Sequence, residues 1–197
     1  MNNIFIINGM AGVGKDSFVN ALNQIIPTLH VSIVGKVKQL AEVIGWDGKK
    51  DERGRKLLCD LKKITDEYDD RNFKYISDIV NQFKKGVFKQ KVLCIDMREP
   101  KDIIRAQKEF GAKTVLIKRN VNNVTSNYAD AATLNSNIIY DVEIDNNGTL
   151  DDLKKIAKEF KNKVIFGKNI KENKGINQQK VNVTISLSDL VNWLFNL

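Results

Sequence analysis

The sequence predicts an α/β fold of three layers, a mainly parallel five-stranded sheet between helices. Three observations predict it. From Ile4 to Phe160, short β-branched runs alternate with segments of helical apolar period. The first of those runs leads through a glycine-rich stretch, Gly9 to Gly14, into an amphipathic helix. A chain of 197 residues, 42% hydrophobic and 28% charged, is large enough for one full core, and no internal repeat or domain-sized linker divides it. The expected organisation is one domain over residues 1–197, with a helical insertion at about 45–90, a lid at about 120–137 and a variable basic tail at about 161–197.

Ile4-Phe5-Ile6-Ile7 has the length and branching of a buried strand. Phe18, Val19, Leu22, Ile25 and Ile26 then share one helical stripe, which Pro27 ends. Leu29–Val34 reads as a second strand, of edge or half-buried kind. After Gly35, a helix carries Val37, Leu40, Ala41 and Ile44, and Gly45–Asp51 is turn-rich. A helix over Glu52–Glu67 should turn Leu57, Leu58, Leu61 and Ile64 inward, and another over Asn72–Lys89 should bury Phe73, Ile76, Val80, Phe83 and Val87. Two long helices between consecutive strands make an insertion, of the kind that forms a movable wall over a second substrate.

Lys91–Asp96 is the third strand. Pro100 suits the first position of the next helix, which carries Ile103, Ile104, Gln107 and Phe110 and stops at Gly111. Lys113–Arg119 is the fourth strand, and the polar stretch 120–137 reads as a lid with a short helix. Ile138–Ile144 is the fifth strand and Asn146-Asn147-Gly148 a turn. Thr149–Asp152 is a capping-box variant ahead of a helix with Leu150, Leu153, Ile156, Ala157 and Phe160. The Lys/Asn/Gln-rich residues 161–180 read as a surface hairpin or loop. Val181–Ile185 alternates like a late strand, and Ser188 caps a final short helix.

Strand, glycine loop, lysine and helix together are the context in which G-x-x-x-x-G-K binds phosphate. A polyphosphate needs several backbone N–H groups converging on it. Gly9, Gly12 and Gly14 leave room for that approach and permit positive φ, while Met10, Ala11 and Val13 complete the loop. The helix beginning near Lys15 adds its positive end, and Lys15 adds a mobile cation for the β- and γ-phosphates. A Ser or Thr usually follows that lysine and binds Mg²⁺ through its hydroxyl. Here Asp16 follows, then Ser17. A carboxylate is a hard ligand for Mg²⁺ but repels phosphate, so Asp16 implies a metal held directly or through water. Asp96, ending an apolar strand, is a second candidate for that metal. Arg98 follows at the carboxyl rim, where open α/β sheets bind ligands, and its planar fork suits a phosphate. Lys36, Lys38 and Arg119 fall at the same rim.

The formal charge of +8 favours anionic partners, a nucleotide or nucleic acid, although the lysines are scattered and mostly suit a solvated surface. Aromatic residues are not interleaved with the basic ones as single-strand binding requires, which weighs against nucleic acid. Cys59 and Cys94 lie in apolar-periodic segments and read as buried free thiols, which points to the cytoplasm. His30 is the one histidine, which argues against structural zinc or a histidine triad. No apolar run reaches membrane-span length, and the start has no cationic signal-peptide head. Monomer and homodimer are both open.

The chain resembles the nucleoside monophosphate kinase group of P-loop proteins, and most nearly the phage-type deoxynucleoside monophosphate kinases. Gly14-Lys15-Asp16-Ser17 carries the likeness, since Asp after that Lys is unusual among P-loops and recurs in that family and in animal phosphomevalonate kinase. Ile95-Asp96-Met97-Arg98-Glu99-Pro100 with Gly111-Ala112-Lys113 is similar to the family's Asp-x-Arg strand end, helix and next strand. Arg119, Ser126–Asp130 and Asn147-Gly148-Thr149-Leu150 resemble its lid and final turn. The likeness spans about residues 3–160, and only the loop motif is specific.

The resemblance implies a P-loop NTPase fold and transfer of the γ-phosphoryl group of ATP to a (deoxy)nucleoside monophosphate. It implies a loop, Gly9 through Ser17, that holds ATP; Asp16, Ser17 and Asp96 at Mg²⁺; Arg98, with Lys38 and Arg55, at the acceptor phosphate; and Arg119 near the donor when the lid closes. Two other functions remain open: a P-loop kinase for another small phosphorylated acceptor, such as a phosphomevalonate- or dephospho-coenzyme A-like molecule, and a non-catalytic nucleotide- or nucleic-acid-binding module.

Overall fold

The computed structural model describes residues 3–120 and 138–167. All but Asn120 of the expected lid, about 120–137, lies outside the described residues, as do the late strand Val181–Ile185 and the helix after Ser188. In chain order the elements are β1 (Ile4–Asn8), α1 (Lys15–Asn23), β2 (Thr28–Ser32), α2 (Gly35–Val43), α3 (Glu52–Asp69), α4 (Arg71–Lys84), β3 (Val92–Asp96), α5 (Pro100–Phe110), β4 (Lys113–Lys118), β5 (Val142–Asp145) and α6 (Leu150–Phe160), followed by a π-helical turn, Lys161–Ile165. The strands form one five-stranded parallel sheet in the order β2-β3-β1-β4-β5. The expected α/β class is therefore observed, with a parallel sheet throughout.

Two compact units divide the chain. One comprises the described residues within Met1–Leu29 and Gln90–Leu197, the other His30–Lys89. In the first, β1 is the central strand and all five of its residues are buried, which is why it is apolar without alternation. Its register places Ile7 opposite Asp96 on β3 and Asn8 opposite Leu116 on β4, so three strand ends share one rim. Phe5 and Ile7 face α1 and α6 in one core layer, joined there by Cys94, Val115, Ile117, Val142 and Ile144. Phe160 closes that layer edge-on against Phe5 (5.0 Å between centroids) and Phe18 (5.4 Å). Helix α5 packs against β1 and β4, and its Ile103, Ala106 and Phe110 are buried.

The local signals act as their chemistry dictates. Pro100 stands in the first turn of α5, and Gly111 ends the helix at φ 64°. Thr149 and Asp152 exchange hydrogen bonds as a capping box for α6, and the Thr149 hydroxyl, with Lys155, holds the Asp152 carboxyl down to about 2. The fifth strand starts at Val142, four residues later than its composition suggests. Asp141 explains the delay: its carboxylate accepts from the Thr114 N–H (2.6 Å) and hydroxyl (2.8 Å) and so fixes where pairing with β4 begins. Ile139 is left exposed. Residues from 161 begin not as a loop but as the π-helical turn, whose Ile165 is buried.

In the unit His30–Lys89, α2, α3 and α4 pack on one another. Gly54 and Lys62 are buried on α3, whereas Ile64, expected inward, is 61% exposed. A polar cluster has taken the inner face. Lys62 pairs with Asp66 at 2.9 Å, and Asn72 donates to Asp66 (2.7 Å) and to the Thr65 hydroxyl (2.9 Å). Asp70, with φ 49°, makes the sharp elbow between α3 and α4. Helix α4 stops at Lys84 because Gly86 turns the chain at φ 74°, so Val87 lies past its end and is exposed rather than buried. Leu40 and Ile44 are likewise exposed, as are Ile25 on the first unit and Leu150 at the start of α6. Cys94 is buried as expected, and burial pushes its thiol pKa well up. Cys59 corrects the reading of two buried thiols: it is exposed, on the outer side of α3. Among the described residues no helix is long and apolar enough to cross a membrane.

The polar cluster makes a pH-dependent contribution. Burial alone would raise the Asp66 pKa, but the hydrogen bonds from Lys62 and Asn72 outweigh it and leave the carboxyl below its ordinary value. A depressed acid stabilises the fold above its unfolded pKa, and that stability is lost as pH falls through the folded value. Asp66→Ala, which takes an ion-pair partner from the buried Lys62 ammonium, should cost roughly 2 kcal/mol at pH 7, less than a fully buried pair because both partners keep some exposure. The difference from wild type should shrink below about pH 4. Urea unfolding at neutral and acid pH measures this, and an equal difference at both would contradict it.

Candidate active site

The loop between β1 and α1 is made by backbone. Gly9, Gly12 and Gly14 have φ of 145°, 77° and 94°, conformations L side chains rarely adopt. Gly14 is the N-cap of α1, with no side chain capping the helix. The first amides of α1 are thus not taken by a capping residue. Two glycines are also required by space. A Cβ on Gly9 would lie 2.4 Å from the Ile117 carbonyl oxygen, and one on Gly14 would lie 2.3 Å from Asn146 Nδ2. Among the described residues nothing lies within 4 Å of a Cβ built on Gly12. Lys15 folds back over the loop, its ammonium donating to the Gly9 (2.6 Å) and Met10 (2.7 Å) carbonyls. Its charge therefore sits at the loop, whose rim Gly12 leaves open to solvent.

The other candidates of the first unit gather at the same rim. Asp16 is exposed in the first turn of α1, with exposed Ser17 beside it. Asp96 ends β3, opposite Ile7. An oxygen of Asp16 and one of Asp96 lie within 4.8 Å of each other. Two ligands of one octahedral Mg²⁺, each about 2.1 Å from the ion, stand at most about 4.2 Å apart. The two carboxylates are hard oxygen donors of the kind that ion takes, at a separation compatible with holding it. Arg98 is half-buried two residues beyond β3, and Arg119 is exposed immediately after β4. Lys38 and Arg55 belong to the helical unit. Lys38 is half-buried on α2, and Arg55 sits in the first turn of α3, where its Nε donates to the Lys50 carbonyl at 2.7 Å.

Three asparagines at this rim were not singled out from the sequence. Asn8, fully buried, accepts from the Gly9 N–H (2.7 Å) and donates to the Tyr140 hydroxyl (2.6 Å). Asn146 is buried just after β5, and its Nδ2 donates to the Val13 carbonyl (2.8 Å). Asn147 accepts from the Asn120 N–H (2.7 Å), next to Arg119. The turn signal of Asn146-Asn147-Gly148 marked the place. The Asn8–Tyr140 and Asn146–Val13 bonds join residues more than a hundred positions apart, which no local pattern records.

A parallel sheet with a glycine loop at the carboxyl end of its central strand defines a P-loop kinase-like fold. Among solved structures, the chain is similar to a Chloroflexus aurantiacus protein classed provisionally as a kinase, with a TM-score of 0.50 and 11% identity over 85% of this chain and 100% of that one. It also overlaps an unliganded sugar kinase from Janibacter, with a TM-score of 0.42 and 9% identity over 81% of this chain and 94% of that one, a likeness too slight to weigh. At 11% identity the first comparison speaks to the fold alone. No protein-family model and no curated protein matches the chain.

The loop geometry separates its glycines by experiment. Gly9→Ala should cost at least about 2 kcal/mol, because its Cβ meets a backbone oxygen that cannot move away and the backbone is strained as well. Gly12→Ala meets open space and should cost only the positive φ, about 1 kcal/mol. Thermal melts of the two variants measure this, and equal losses would contradict the packing.

Proposed function

We propose that the protein is an ATP-dependent kinase whose acceptor is a small phosphorylated molecule, a ribo- or deoxyribonucleoside monophosphate. One observation carries this reading: a side-chain-free loop of positive-φ glycines, with Lys15 over it, at the carboxyl end of a central parallel strand. The kinase-like fold is in keeping with it.

In this reading the loop amides and the first turn of α1 hold the β- and γ-phosphates of ATP. Lys15 leaves the Gly9 and Met10 carbonyls and takes phosphate oxygens instead. Asp16 and Asp96, with Ser17, would hold Mg²⁺, which would supply charge neutralisation at the donor phosphates. Arg98 neutralises the acceptor phosphate, and Arg119 serves the donor. An anionic oxygen of the acceptor attacks the γ-phosphorus as the bond to the β-phosphate bridging oxygen breaks, giving a diphosphate and ADP. No general base is needed, since the attacking oxygen already lacks its proton at neutral pH. The protein's task is to hold two polyanions together and stabilise the spreading charge.

A coupled ADP-release assay across ribo- and deoxyribonucleoside monophosphates tests this. The expected result is Mg²⁺-dependent release with at least one of them, lost in Lys15→Ala at an unchanged circular-dichroism spectrum. Arg98→Ala should lower turnover or raise the apparent acceptor constant at least tenfold, about 1.4 kcal/mol. No release with any monophosphate would reject the acceptor class, and full turnover in Lys15→Ala would reject the donor site.

A further inference from the structure

We propose that Asn146 is a positioning residue of the phosphate loop, one that aims the Gly14 N–H at the bound polyphosphate. This inference rests on the donor-site reading above and goes beyond it by assigning a residue outside the loop.

The argument begins with the peptide between Val13 and Gly14. The described chain contains no cis peptide, so the Val13 carbonyl and the Gly14 N–H point in opposite directions across one rigid plane. Whatever holds that carbonyl sets the direction of that N–H. Asn146 Nδ2 holds it, donating at 2.8 Å in a buried setting. The bond holds the carbonyl toward Asn146, just after β5, and so turns the Gly14 amide away from that side chain. Without the donor, the plane is free to rotate and present a carbonyl oxygen to the phosphates, which repels them.

Asn146 is itself held. Its own N–H donates to the Lys118 carbonyl at 2.7 Å, the last residue of β4, so the side chain springs from a rigid edge of the sheet. The fit is close on both sides: a Cβ on Gly14 would lie 2.3 Å from Nδ2. Glycine at 14 and asparagine at 146 are thus a matched pair, and the backbone conformation of Gly14, φ 94°, is the one the bond maintains. Lys15, one residue on, folds over the same loop. An error in the Val13–Gly14 plane therefore displaces both an amide donor and the lysine that follows it.

The nature of the side chain matters as much as its size. Aspartate has the shape of asparagine but, ionised, can only accept. Asn146→Asp would oppose two acceptors where the protein now has a donor and an acceptor. Burial beside a carbonyl raises the pKa of such a carboxyl, and once protonated it can donate again. A residue that only filled space would show no such titration.

The test uses the full chain and two probes, ATP with Mg²⁺ and inorganic tripolyphosphate, titrated calorimetrically into wild type, Asn146→Ala and Asn146→Asp. Both variants should bind both probes at least tenfold more weakly, while the apparent acceptor constant in the coupled assay stays within about twofold. The ratio of Asn146→Asp to wild-type affinity should recover as pH falls from about 8 to about 5. In the wild type, the Gly14 amide resonance should move downfield when tripolyphosphate is added, a readout that needs no variant. Unchanged affinity in both variants, a flat pH ratio, or a Gly14 resonance unmoved by a bound probe would overturn the role of Asn146 and leave the donor site standing. Failure of the wild type to bind either probe would overturn the donor site, and this inference with it.

Discussion

The backbone between β1 and α1 must run through positive φ at Gly9, Gly12 and Gly14, two of which have no room for a side chain, and much of what is particular to this chain follows from that constraint. An anion with several negative oxygens is held better by fixed N–H dipoles than by flexible side chains, because no ordering is needed when it arrives. The conformation that aims them, positive φ at Gly9, Gly12 and Gly14, is strained for any residue with a Cβ. The sheet surrounding the loop is what holds it there: a wholly buried central strand leads in, and a helix anchored by Phe18 and Leu22 leads out.

Buried polar side chains complete that support. Asn8 and Asn146 are nearly inaccessible amides, and burying them is unfavourable unless they are hydrogen-bonded. Each spends its bonds on the loop: Asn8 takes the Gly9 amide, and Asn146 takes the Val13 carbonyl. Asn8 also reaches Tyr140, and Asn147 reaches Asn120, so two further residues are tied to the same rim. Short side-chain bonds thus tie the loop to Tyr140 and to the turn after β5, and that turn to the residue after Arg119. The helical unit follows another logic. Its inner face carries the Lys62, Asp66 and Asn72 cluster where leucines would have served, which fixes how α3 meets α4.

Sequence reading recovered what is local. The glycine loop, the capping box at Thr149, Pro100 and Gly111 all act within a few residues, and each took its expected place. The strands were visible because a buried parallel strand is apolar throughout. Errors arose where a tertiary partner overrode a local period. Asp141 bonding to Thr114 delayed β5, and the Lys62 cluster turned Ile64 outward. Cys59 looked buried for the same reason, since it shares a helix whose inner face was misjudged. Within the candidate site, the loop residues were legible by their spacing, and Asp96 and Arg98 by their position at a strand end. Asn8 and Asn146 were not, because an asparagine in a turn carries no mark of the distant carbonyl it serves.

Asp16 sets this loop apart, a negative charge where a hydroxyl is usual. An oxygen of Asp16 lies within 4.8 Å of one of Asp96, and in the proposed function a divalent ion held by both would offset the repulsion between that carboxylate and a phosphate. The most direct test of the whole account is amide hydrogen–deuterium exchange with and without ATP and Mg²⁺. The account predicts that protection on adding nucleotide is strongest in peptides spanning residues 9–17 and is lost when Mg²⁺ is withheld. Protection that arises elsewhere while residues 9–17 exchange unchanged would contradict it.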